Sequence, residues 1–413
     1  MMLSVSLPPS LPQIAFHPGD VTTPQGFWAD GLTAHLRDDS LDMALLVSHP
    51  AAAFAGVFTT NAVRAAPVDL TEKVHQRGVC TGIIINSKNA NALTGAMGKR
   101  DAETMQRTVA LALGVEPETM AVASTGVIGW PLPMENVKTG MEQLTERYRR
   151  SAIADGRAAA QAILTTDTAA KAAAVTIQYA KGPVHLGMMV KGSGMIHPHM
   201  ATMLAFFTTD AEILPGRLDR MLRMAVERSF HRISVDGDQS TNDMVLIWAN
   251  GRSSVNLETD EDLAVFEHAL TELARHGARL IAADGEGATH LITVRVSGAS
   301  SEADAALKAR AVARSALVKT AVYGRDPNWG RVLAAAGSAG LAFDPDKVTL
   351  TMNGLPLYVQ GEPVLGQEAL WSQSMDRPEI EFSLDLAAGH ESAEAFGCDL
   401  TDGYVAINAH YRT

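Results

Sequence analysis

Cysteine is nearly absent: the 413 residues hold two, Cys80 and Cys398, far apart in the chain. Neither a disulfide framework nor a zinc site can be built from that spacing, and a reducing, cytoplasmic setting is expected. Basic side chains are in short supply as well. Lys and Arg number 34 against 46 Asp and Glu, a formal charge of −12. That balance argues against an extended nucleic-acid surface, though not against a local cationic pocket for small acidic substrates. No run of about 18 apolar residues occurs, so no membrane-spanning helix is expected. The opening MMLSVSLPPSLPQ has no basic residue and no unbroken apolar core, and no signal peptide is expected from it. Repeats of roughly 20 to 50 residues and low-complexity linkers are also missing, so composition marks no domain boundary.

What is present is ample apolar material, 46% of residues, enough for well-packed cores. One core seldom suffices at this length, so two domains or two intertwined halves are expected. The proline-rich start suits an extended arm. Strands are predicted over 52–60, 78–86, 120–124, 244–248 and 291–297, and a hairpin joins 175–179 to 184–190. Helices are predicted over 101–113, 132–150, 262–281 and 303–322, with another on the face Leu218, Met221, Leu222, Ala225 and Val226. The end of the chain reads as strands over 347–352, 357–360, 379–386 and 404–410. Strands and helices in both halves without strict alternation point to an α+β layered sandwich of helices and sheets.

The chain is organised around residues 191–210, KGSGMIHPHMATMLAFFTTD. Gly192, Gly194 and Pro198 break any helix, and no strand alternation is visible. The first half is therefore expected to be a loop with specified backbone angles, left through the apolar run 203–207. Such a loop suits holding one residue exposed to chemistry, and the candidate is Thr202. A threonine hydroxyl is a weak nucleophile unless a base takes its proton. An N-terminal threonine supplies that base as its own α-amine, with a pKa of about 7.7–8.0 against about 10.4 for lysine. Thr202 gains such an amine only if the Ala201-Thr202 bond is cut. The plausible route is attack of the Thr202 hydroxyl on the Ala201 carbonyl, giving an ester that water opens.

Lys191-Gly-Ser-Gly-Met-Ile, Pro198 and Met200-Ala-Thr-Met-Leu204 resemble the self-cleaving signature of the ornithine acetyltransferase family, the glutamate N-acetyltransferases of arginine biosynthesis. Further blocks stand in family order. They are Val57-Phe-Thr-Thr-Asn61 with Ala65-Ala-Pro67, Asn86 to Gly95, Ser124-Thr-Gly-Val-Ile-Gly129, Ser234-Val-Asp-Gly-Asp238 with Ser240-Thr-Asn-Asp243, Gly285-Glu-Gly-Ala-Thr289, Asp326-Pro-Asn-Trp-Gly-Arg331 and Ile407-Asn-Ala-His-Tyr-Arg-Thr413. The resemblance covers nearly the whole chain.

It implies two interlaced pieces in one globule, 1–201 with the oxyanion loop and Lys191, and 202–413 with the nucleophile Thr202 at its start. Two copies of each piece would form a heterotetramer. It implies transfer of acetyl from N2-acetylornithine to glutamate, with no cofactor and with acetyl-CoA as a possible further donor. Thr125 and Gly126 would hold the oxyanion, where one aimed donor contributes about 3–4 kcal/mol. Gly126 would also let substrate approach the backbone. Thr165, Lys191, Glu286, Asn408 and Thr413 would bind substrate together with Thr202. Read as residues alone, Lys191 is a solvated lysine, Glu286 an exposed loop carboxylate and Thr125-Gly126 a turn. The adjacent Thr165 and Thr166 leave a one-residue ambiguity.

Asp326-Pro-Asn-Trp-Gly-Arg331 is expected to be architectural, with Arg331 a candidate anion contact. Asp236-Gly-Asp238 with Asn242-Asp243 invites a calcium reading but lacks EF-hand spacing, so no metal is expected. His197 and His199 are expected at the surface, and Leu93, where the family often has Cys, is expected to be a packing change. Two other functions stay open: a self-cleaved aminopeptidase or amidase with water as acceptor, and an uncut binding or scaffold protein.

Overall fold

Every residue of the strand Leu204–Thr209 is buried. The sequence reading finds only an apolar exit from a loop there, because a strand covered on both faces shows no alternation. Its side chains nonetheless alternate between two cores. Ala205 and Phe207 join Val190, Val245, Leu222 and Phe266; Leu204 and Phe206 join Met189, Leu246 and Trp248. Burying a phenylalanine rather than leaving it in water contributes roughly 1.5–3 kcal/mol, so this short segment is firmly anchored.

The computed structural model describes residues 5–11, 13–37, 39–197 and 203–410. His199, Ala201, Thr202 and Thr413 lie outside that set. The strands are β1 (Ile14–His17), β2 (Phe27–Leu32), β3 (Met43–Phe58), β4 (Val79–Asn86), β5 (Met120–Ser124), β6 (Lys171–Tyr179), β7 (Gly182–Lys191) and β8 (Leu204–Thr209), followed by β9 (Ile233–Ser234), β10 (Met244–Ala249), β11 (Leu291–Ala299), β12 (Thr349–Met352), β13 (Leu355–Val359), β14 (Glu362–Pro363), β15 (Glu379–Asp385) and β16 (Glu391–Cys398).

Two mixed sheets result. The nine-stranded sheet has the order β1-β6-β7-β8-β10-β3-β4-β5, with β2 also on β3, and the seven-stranded sheet runs β14-β13-β12-β15-β11-β16-β9. In the first, β8 and β10 lie between β7 and β3, so strands from either side of position 202 are interleaved within one sheet. Register sets one row across four neighbours: Lys191 opposite Leu204, Leu204 opposite Met244, and Met244 opposite Phe58.

Helices cover both faces of the larger sheet. Pro215–Glu227 and Asp260–Ala283 pack on one side, and Ala66–Arg77 and Gly156–Ala162 on the other. Asp260–Ala283 also touches β11 and β16, so Leu291, Phe396 and Cys398 of the second sheet share its core. The second sheet has its own core against the helices Glu302–Arg314, Ala316–Tyr323 and Trp329–Gly337. This is the α+β sandwich with interlaced pieces.

Two expectations are corrected. The predicted helix over 303–322 is two helices, broken at Ser315, whose backbone is extended (φ −64, ψ 114) and whose hydroxyl accepts the Val318 N–H that opens the second. The predicted strand over 404–410 is the helix Asp402–His410. Thr401 caps its start by accepting the Gly403 N–H at 3.0 Å. None of its residues is buried, so neither periodicity leaves a mark in the sequence.

Candidate active site

β7 ends at Lys191, whose side chain is only 1% exposed. A lysine with so little water needs partners. Its ammonium donates to the Thr165 hydroxyl at 2.9 Å and to the Thr125 hydroxyl at 3.4 Å, and it lies 3.7 Å from Asp167. The solvated-lysine reading is thereby replaced. Thr165, rather than Thr166, has the hydroxyl that meets Lys191.

Asp167 is the hub of this polar centre. Its buried carboxylate accepts from Lys171 Nζ at 2.7 Å, from the Gly192 N–H at 2.7 Å and from the Thr165 N–H at 3.2 Å. Lys171 also donates to Asp284 at 2.5 Å, and Asp284 takes the N–H and hydroxyl of Thr168. Burial opposes the Asp167 charge, but Lys171 and then Lys191 outweigh it, holding the carboxyl below the usual range. Burial lowers the proton affinity of Lys191; Asp167 opposes that, Lys171 adds to it, and Asp243 and Glu286 oppose it more weakly. The net shift is downward.

The loop after Lys191 is gripped residue by residue. The Ser193 hydroxyl donates to the Asp284 carbonyl at 2.7 Å. A Cβ on Gly194 would stand 2.4 Å from the Glu286 carboxyl carbon, so a side chain there would displace the Glu286 carboxylate. Met195 adopts a left-handed conformation (φ 56), which an L residue accepts only when the surroundings hold it. The holder is Asp236, which takes the Met195 and Ile196 N–H groups at 2.5 and 2.9 Å. That carboxylate is thus spent on the loop and on the Asp238 N–H at 3.1 Å. Among the described residues no cluster of His, Cys, Asp and Glu is arranged to hold a metal ion.

Past position 202 the grip resumes. The Met203 N–H donates to Asp243 at 2.7 Å, and β8 begins. On the neighbouring edge Thr125 follows the end of β5, 1% exposed, with its N–H on the Asn86 carbonyl at 3.0 Å. Gly126 has φ +131, and a Cβ there would approach the Lys88 carbonyl carbon to 2.3 Å. The close approach that demands glycine at this position is therefore to the chain's own 88–89 backbone.

Glu286, 8% exposed, accepts from the Asn408 amide at 2.7 Å and gives its N–H to the Ser193 carbonyl at 3.1 Å. The C-terminal helix, not a strand, presents Asn408. Lys191, Thr125 and Thr165 therefore form one contact cluster, and Glu286 with Asn408 lines the loop beside it. Thr202, Ala201 and Thr413 lie outside the described residues. Arg331 is committed to the Leu317 carbonyl at 2.8 Å, and His197 is half-buried, its Nδ1 3.4 Å from the Ser234 hydroxyl. Leu93 is 63% exposed rather than packed.

Sequence reasoning missed Asp167, Lys171, Asp284, Asn242 and Asp243. Two of these stand in quoted blocks, but their roles depend on partners far away in the chain. A cavity of about 730 Å³ lined by Arg228, Arg232, Arg275 and Arg295 lies apart from this cluster. Its arginines are taken up by Glu302, Glu272, Glu381 and Glu394, which leaves no unmatched cation for an acid.

Comparison with known proteins shows the family. Residues 28–413 match the model of the ArgJ family. The arginine biosynthesis bifunctional protein ArgJ of Symbiobacterium thermophilum is 49% identical over 400 residues, covering 96% of this chain and 99% of that one. Its namesake from Oceanobacillus iheyensis is 44% identical over 399 residues, covering 96% and 97%. Among solved structures, the arginine biosynthesis bifunctional protein of Bacillus halodurans is 40% identical with a TM-score of 0.48, over 50% of this chain and 98% of that one. The ornithine acetyltransferase of Mycobacterium tuberculosis, complexed with ornithine, is 36% identical with a TM-score of 0.42, over 45% and 98%.

Proposed function

The chain belongs to the ArgJ family and is an acyltransferase of arginine biosynthesis, and from that premise we propose how its residues divide the work. Thr202, freed by self-cleavage at Ala201-Thr202, attacks the acetyl carbonyl of N2-acetylornithine. Ornithine leaves, and the α-amine of glutamate takes the acetyl group from the Thr202 ester. Thr125 and Gly126 steady the oxyanion of each tetrahedral state. The pieces 1–201 and 202–413 stay associated, and acetyl-CoA is a further candidate donor.

The observation that carries this reading is the contact of Lys191 with Thr165 and Thr125. An ammonium has no acceptor capacity, so at Thr125 it takes an oxygen lone pair and leaves the hydroxyl proton free to point at a developing oxyanion. Donation to the oxygen also polarises that O–H, which makes it a stronger donor. A buried cation beside the nucleophile's loop favours the neutral form of a nearby amine, the form that serves as base. Glu286 is suited to an α-ammonium, one of the groups by which an amino acid is recognised, and the Asn408 amide, donating to Glu286 and to the Tyr404 carbonyl, holds that carboxylate in place.

Initial rates test the scheme. With N2-acetylornithine varied at several fixed glutamate concentrations, the double-reciprocal lines should be parallel. Intersecting lines would mean direct transfer in a ternary complex, and acetate release unaffected by glutamate would mean a hydrolase.

A further inference from the structure

The helix Asp402–His410 carries Asn408, whose amide holds the Glu286 carboxylate at 2.7 Å. None of its residues is buried, so no apolar face fixes it to the globule, and nine residues alone make a marginal helix. What fixes it is polar and lies just ahead of it. Asp399, 2% exposed, stands between β16 and the helix. Its Oδ1 accepts the Thr289 and His290 N–H groups at 2.8 and 3.0 Å. Its Oδ2 accepts the Thr289 hydroxyl and faces His290 Nδ1 at 3.1 Å, while its own N–H donates to the His290 carbonyl at 3.1 Å. A carboxylate can only accept, so Nδ1 carries the ring proton. Two residues on, the Thr401 hydroxyl donates to the Gly287 carbonyl at 2.7 Å and accepts the Gly403 N–H at 3.0 Å. Gly287 is left-handed (φ +70), and a Cβ there would stand 2.5 Å from the Tyr404 nitrogen. Gly287, Thr289 and His290 all belong to the segment between the helix Asp260–Ala283 and β11, the segment that holds Glu286.

We propose that Asp399 and Thr401 are positioning residues for amino-acid recognition: by fastening the Glu286 loop to the start of the helix that presents Asn408, they aim the Glu286 carboxylate at the ammonium of the ligand. This rests on the reading of Glu286 as the ammonium contact. Neither residue touches the ligand; both act through Glu286. A carboxylate whose direction is fixed in advance loses less freedom on binding than a loose one, so the fastening strengthens binding rather than the transfer step. Burial opposes the Asp399 charge, but the His290 ring, the Thr289 hydroxyl and the two N–H groups outweigh it. The carboxyl is held below its usual range and stays an acceptor.

The test measures ornithine binding by calorimetry, together with kcat, on the purified active enzyme. Glu286→Gln should weaken binding roughly 10–100-fold, the scale for a hydrogen bond to a charged group. Asp399→Asn keeps an oxygen for the two N–H groups but loses the charge, and should weaken binding about 10-fold with a smaller fall in kcat. Added to Glu286→Gln, Asp399→Asn should cost less than ~2-fold more, because the carboxylate it acts through is already gone. A fold that is merely loosened would lose the same factor in both backgrounds. That result, or wild-type affinity in Asp399→Asn, would overturn the proposal. Should Asp399→Asn fail to fold, Thr401→Val, which cuts the Gly287 and Gly403 bonds, decides through the same cycle. Wild-type affinity in Glu286→Gln would remove the premise and the proposal with it, whereas weakened binding there beside wild-type affinity in Asp399→Asn removes only the fastening role.

Discussion

The Asn242 side chain donates to the carbonyl of Ser124 at 2.8 Å. The residue before Asp243 therefore fixes the residue before Thr125, and Asp243 in turn fixes the residue after Thr202. Two buried neighbours in one connection thus tie the end of β5, which leads into Thr125, to Met203, which leads into β8.

Asn242→Ala strands two buried carbonyls, Ala90 and Ser124. At about 1–3 kcal/mol each, the midpoint of urea unfolding should fall by an amount equivalent to roughly 2–6 kcal/mol, and turnover should fall with it. Unchanged stability with full turnover would mean that the two ends are held elsewhere.

Thr125→Val keeps the shape and removes the donor. Turnover should drop by roughly 10²–10³, the scale for one oxyanion donor, with little change in KM, and Thr125→Ser should recover most of it. Processing is checked first by mass, since self-cleavage passes through a similar oxyanion. A rise in KM with turnover intact would make Thr125 a substrate contact.

Lys191 and Lys171 both touch Asp167, yet their losses should differ. Without Lys191, Asp167 keeps Lys171 and the Gly192 and Thr165 N–H groups, and a buried charge has been removed. Lys191→Met should leave stability within about 1 kcal/mol of wild type while activity falls. Lys171→Met leaves Asp167 and Asp284 without their shared cation and should cost about 3–5 kcal/mol. Equal destabilisation by the two substitutions would contradict this division between function and structure.

Burial, with Arg279 adding to it, pulls His276 from its ordinary value near 6.5 down to about 4. The folded state binds this proton less readily than the unfolded chain. The contribution is therefore whole above about pH 6.5 and is lost as pH falls through about 4. A difference of 6.5 − 4 = 2.5 units amounts to about 3 kcal/mol. His276→Leu should flatten the decline of urea midpoints across that window, and an unaltered slope would place the acid sensitivity in other groups.

How much was legible beforehand depended on whether a signal is local. The β6–β7 hairpin and the helix Pro215–Glu227 announce themselves by alternation and by an i, i+3, i+4 face. β8 does not, because both its faces are covered, and the C-terminal helix does not, because neither of its faces is. Lys191, Thr125, Thr165 and Glu286 were reachable through motif resemblance. Asp284 was not, since its bond to Lys171 joins residues 113 positions apart and has no local trace; Asp167 and Lys171 stand four apart, but that pair alone does not say that both are buried beside Lys191. Asp236 and Asp243 were visible as carboxylates, but only the fold reveals that both are turned onto backbone N–H groups of the central loop.

The most direct measurement is the intact mass of the fragment that begins at Thr202 after incubation with N2-acetylornithine and no glutamate. It should rise by one acetyl group and return to its starting value when glutamate is added. A fragment that stays unmodified while ornithine is released, or an acetyl group found on the 1–201 piece instead, would take from Thr202 its place as the nucleophile.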